Sequence, residues 1–189
     1  MTTATAPVAA TVAPTLRRLY LVRFGFALIW ALALFSTASD IGPVSATLLV
    51  IYPLFDAGAA VVDARSSRAS RSALGLRVNI AISAIAAVGL VFAVASGIPA
   101  VLRVWGVWAV AAGLAQLIVA QRRRKAGGQW PMIASGTIST LAGASFFLQA
   151  ASSSSLSNLA GYALLGGVFF LVSALRLGRD ASRSTGGRN

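Results

Sequence analysis

The chain has 189 residues, of which 57% are hydrophobic and 11% charged, with a mean hydropathy of +0.80. A soluble domain of this size keeps roughly a quarter of its residues charged, so much of this surface is expected to face lipid. With no cysteine and no histidine, disulfides, thiol nucleophiles, imidazole bases and metal sites built on those ligands are excluded. A total of 4 Asp+Glu also makes a multi-carboxylate metal site hard to assemble.

Residues 1–15 (MTTATAPVAATVAPT) are rich in Ala, Thr and Pro and have too little apolar bulk to fold alone, so a flexible tail is expected there. Six apolar runs follow, near 19–37, 44–62, 76–96, 99–121, 131–150 and 157–177. At about 1.5 Å per residue each is long enough to cross a hydrocarbon core of about 30 Å. Helices are required, because lipid offers no partner to backbone N–H and C=O groups. Asp40-Ile41-Gly42-Pro43, Ser96-Gly97-Ile98-Pro99, Ala126-Gly127-Gly128 and the serines 152–155 break the runs. Residues 179–189 read as a basic, flexible C-terminal tail. The expected fold is an all-α membrane protein with one six-helix transmembrane domain over residues 16–178.

Charge gives the orientation. The sequence holds 16 Lys+Arg against 4 Asp+Glu. Arg17, Arg18 and Arg23 flank the first run. Arg65, Arg68, Arg71 and Arg77 lie around the second–third loop, Arg122, Arg123, Arg124 and Lys125 fill the fourth–fifth loop, and Arg176, Arg179, Arg183 and Arg188 follow the sixth run. Of all the cations only Arg103 falls towards the other side. The positive-inside rule then places both termini in the cytoplasm. Because the cations are dispersed among apolar runs, no nucleic-acid partner is expected. A cleaved signal peptide is disfavoured too, since the first run leads into another span.

The six runs read as three copies of a helical hairpin, about 19–65, 76–122 and 131–177. The second run of each has an aromatic residue followed by a glycine: Tyr52 to Gly58, Trp108 to Gly113 and Tyr162 to Gly167. A period carried through the whole chain points to one fold unit. Three stretches, Tyr52-Pro-Leu-Phe-Asp-Ala-Gly58, Arg122 to Gly143 (RRRKAGGQWPMIASGTISTLAG) and Ala160 to Leu171 (AGYALLGGVFFL), resemble the HdeD-like family of bacterial membrane proteins. The resemblance covers about residues 18–178. It implies short two-helix repeats, an inner-membrane address and an acid- or stress-related role, and it brings no catalytic residues with it.

Asp56 is the most informative single residue. A carboxylate about 9 Å inside the cytoplasmic end of the second span is costly unless paired, and such groups are functional candidates. Arg23 is expected at a similar depth in the first span. Pro53, one turn before Asp56, is expected to kink the helix and free the Leu49 carbonyl. Two readings follow: a proton or ion site built from Asp56, Arg23 and the kink, or a structural Arg23–Asp56 pair that locks the hairpin. A single carboxylate makes a poor relay, which favours the pair. Asp63 is expected in a solvated pair near the interface. Arg103 is expected to snorkel to headgroups, and Tyr20, Trp105 and Trp130 to sit in an aromatic belt. Asn79, Gln116 and Gln149 are candidate interhelical hydrogen-bond partners.

The fifth span carries small residues (Ser135, Gly136, Ser139, Thr140, Gly143) on one face, suited to close packing within the chain or to a homo-oligomer seam. Arg122, Arg123, Arg124 and Lys125 are candidate contacts for anionic lipid headgroups. No catalytic or cofactor motif emerges. The expected function is a non-enzymatic inner-membrane protein of HdeD-like type, related to envelope or acid stress. The alternative is a small transporter or channel component that uses Asp56.

Overall fold

The computed structural model describes residues 7–66, 73–122 and 130–186. The elements are α1 (Pro7–Ser36), α2 (Pro43–Ser66), α3 (Ala73–Ala93), a 3-10 turn (Val94–Ser96), α4 (Ile98–Arg122), α5 (Trp130–Gln149) and α6 (Ser157–Gly186). All six α-helices are long and apolar enough to cross a membrane, and each coincides with one of the apolar runs. α1 begins at Pro7 and α6 reaches Gly186, so helix occupies parts of both segments read as tails. Once a long apolar span has nucleated, each added residue gains a backbone hydrogen bond at little further cost.

The surface is inverted relative to a soluble bundle. Large apolar side chains such as Ile29, Phe35, Ile85, Phe92 and Leu148 point outward, Leu148 with 80% of its area exposed. In water these would form an apolar patch far larger than a soluble protein tolerates. In lipid they face a solvent of their own kind, and the exposed Trp130 sits at a span end as an aromatic belt requires. Small residues and a few aromatics are turned inward instead.

The helices that pack most closely are not those of one sequence hairpin. α1 lies along α6, α2 along α3 and α4 along α5, whereas α1–α2 and especially α5–α6 touch less. Glycine explains the α4–α5 pair. Gly106 faces Gly143, and Gly113 faces Gly136, so the antiparallel backbones meet twice, seven residues apart on each helix. The small face of α5 is therefore used within the chain, with Thr140 also against Gly113. In α1–α6, Gly167 approaches Ala27 and Phe24 in the same way. Lipid supplies no hydrophobic force between helices, so such close approach is what holds them.

At one end of the bundle the Leu156 N–H donates to the Ala38 carbonyl over 2.8 Å, joining the α1–α2 and α5–α6 linkers. α3 turns into α4 through Gly97 alone after the 3-10 turn, at φ 94° and ψ 176°. Only glycine populates that region readily. The loop residues Arg68, Arg71, Arg123, Arg124 and Lys125 lie outside the described residues.

Candidate functional site

The charged pair expected from the sequence is formed, and it is the centre of a larger polar cluster. Arg23 of α1 donates through Nη2 to Asp56 Oδ1 of α2. Asp56 lies about 14 Å along the helix from Arg65, well inside the apolar span Pro43–Arg65. The second carboxylate oxygen accepts two hydrogen bonds from α3, from Asn79 Nδ2 at 2.9 Å and from Ser83 Oγ at 2.8 Å. Ser83, itself fully buried, accepts from Trp108 Nε1 of α4 at 3.2 Å. The other face of the guanidinium is covered by Phe170 of α6, whose ring centroid lies 4.2 Å from Arg23 Cζ.

Five helices therefore converge on one carboxylate–guanidinium pair. The side chains of Arg23 and Asp56 keep only 10% and 17% of their area accessible. Charge-assisted hydrogen bonds of this kind are stronger than neutral ones. Without them the desolvation of either ion would be destabilising by several kcal/mol. The two oxygens of Asp56 receive three donors, which offsets that loss. The remaining helix, α5, is joined separately, by Tyr162 Oη of α6 donating to Ser139 Oγ of α5 at 2.9 Å.

An aromatic cluster lies next to the pair. Tyr52, one turn before Asp56, contacts Trp30, Phe26, Trp105 and Trp108, with ring centroids 4.5 to 6.0 Å apart. Trp30 donates through Nε1 to the Leu48 carbonyl at 2.6 Å. α2 is helical without interruption through Pro53, and Pro53 is fully buried. The carbonyl that receives an outside donor is thus Leu48, one residue before the one that Pro53 was expected to free.

Other positions depart from expectation. Trp105 is fully buried against Trp30, Tyr52 and Trp108 and is no part of a belt; its Nε1 has no partner. Its ring faces the bundle because α4 turns that side towards the core near the linker. Tyr20 is also buried, with its ring against Phe170. Asp63 is only 4% exposed and engaged in contacts, so it does not stand in solvent. Arg103 is exposed, consistent with snorkelling. Gln149 bonds Ser145 and accepts from Asn158 at 3.3 Å, while the buried Gln116 Oε1 has no partner. Arg122 is exposed at the end of α4.

Ser83 and Phe170 were not singled out by the sequence, and Trp108 was marked only as the repeat aromatic of the second hairpin. Ser83 had a signal, since it follows Asn79 by one helical turn and shares its face. Trp108 aligns with Tyr52 and Tyr162 in the repeat, which marks a shared position and no hydrogen-bond partner, and Phe170 had no signal beyond being aromatic. No family model, curated protein or solved structure matches the chain.

Proposed function

We propose that the chain is a non-catalytic, six-span protein of the bacterial inner membrane, of HdeD-like type, in which the Arg23–Asp56 centre is a structural lock. The family assignment rests on the glycine and aromatic placements around Tyr52–Gly58, Arg122–Gly143 and Ala160–Leu171. The orientation with both ends cytoplasmic rests on the one-sided distribution of Lys and Arg. Support of the envelope under acid or other stress is the role that resemblance implies.

One observation carries the lock. Both oxygens of Asp56 are held by donors from α1 and α3, and its counter-ion is held in turn by α6. A carboxylate that cycles protons must be able to release its partners. One that fixes helices keeps them. Ionisable side chains inside a membrane are rare and are almost always paired, and here the contacts around the pair tie the packed pairs α2–α3 and α1–α6 together.

A transporter or channel role is the second reading, favoured by the position of Asp56 deep in its span. The two are separated in vesicles loaded with a pH-sensitive dye, with thermal stability measured in parallel. The lock predicts no proton flux above that of empty vesicles and a lower melting temperature for Asp56→Asn. Flux in the wild type that Asp56→Asn abolishes without loss of stability establishes the transporter instead.

A further inference from the structure

α3 and α4 are in close contact near their linker, where Gly89 comes against Val104. At the opposite end, the first turns of α3 and the last turns of α4 enclose a groove of about 240 Å³. It is lined by Leu74, Gly75, Val78, Ala115, Ile118 and Val119, with Arg122 at its end. Leu74, Val78 and Ile118 are exposed, so the groove opens sideways to the surroundings of the bundle. In a six-span protein those surroundings are acyl chains.

We infer that this groove is a binding site for one anionic phospholipid, with an acyl chain between α3 and α4 and the headgroup phosphate on Arg122. The described walls, Leu74, Val78, Ala115, Ile118 and Val119, supply apolar side chains. Among the described lining residues the one cation, Arg122, stands at the end of α4, at the depth of headgroups, and its guanidinium fork matches a phosphate. Charge complementarity selects an anionic headgroup over a zwitterionic one. The inference rests on the membrane placement proposed above and not on the role of Asp56.

The test is native mass spectrometry of the full chain in detergent, titrated with phosphatidylglycerol or phosphatidylcholine. The wild type should retain phosphatidylglycerol more tightly, and Arg122→Gln should lose about fivefold of that preference, the equivalent of about 1 kcal/mol per cation at a membrane surface. Arg122→Lys should recover most of it. Ala115→Phe, which fills the groove, should release both lipids. Equal retention of the two lipids by the wild type overturns the proposal, as does unchanged retention in Ala115→Phe, which would mean diffuse attraction to the basic surface. Failure of the membrane placement is distinguishable, since the wild type would then not insert into bilayers at all.

Discussion

Gly113 and Gly136 face each other across α4 and α5 with no room for a side chain between them. A Cβ on Gly113 would stand 2.6 Å from the Gly136 carbonyl oxygen, and one on Gly136 would stand 2.9 Å from that of Gly113. In an ordinary helix, Ala in place of Gly adds roughly 0.5–1 kcal/mol of stability. Here the sign should reverse. Gly113→Ala is expected to be destabilising by about 1–3 kcal/mol, the range of overpacked cores, as measured by unfolding in a denaturing-detergent titration. Gly58→Ala is the control. A Cβ there meets nothing within 4 Å, so its stability should equal or exceed that of the wild type.

The same measurement applies to the linker. Gly97 is held at φ 94°, where an L side chain is strained by about 1–3 kcal/mol. Gly97→Ala should lower stability by that amount, although a Cβ there meets only Pro99 at 3.8 Å. An unchanged unfolding curve would show that the linker relaxes freely.

Ser83 is a two-way contact, donating to Asp56 and accepting from Trp108. Ser83→Ala leaves one donor unpaired and one carboxylate oxygen short of a partner, a loss of about 1–3 kcal/mol. Trp108→Phe removes the other side of the same contact. The double variant should lose clearly less than the sum of the two, because the Trp108 N–H is already orphaned in Ser83→Ala. Strict additivity would mean that the two bonds are independent.

The spans were legible because the bilayer imposes a length and forbids an unpaired backbone, so apolar runs translate directly into helices. The Arg23–Asp56 pair was legible because ions of opposite sign at similar depth have few alternatives in lipid. The order of packing was not. A sequence period groups α1 with α2 and α3 with α4, but the contacts depend on which faces hold glycine, as Gly106 and Gly113 show. Trp105 was misplaced for a related reason: an aromatic near a span end serves equally as an interface anchor or as a core residue, and only the rotation of α4 decides between them. A solvated Asp63 follows only from a second span that ends near it, whereas α2 continues to Ser66 and Asp63 is 4% exposed.

The central claim is that Arg23 and Asp56 stabilise the bundle together rather than serve a transport step. A double-mutant cycle on Arg23→Leu and Asp56→Leu, read as unfolding free energy in the denaturing-detergent titration, tests it most directly. Each single variant leaves a buried ion unpaired and should lose about 3–5 kcal/mol. The double variant should recover part of that loss, with a coupling of about 1–3 kcal/mol. Additive losses, or single variants as stable as the wild type, would contradict the lock.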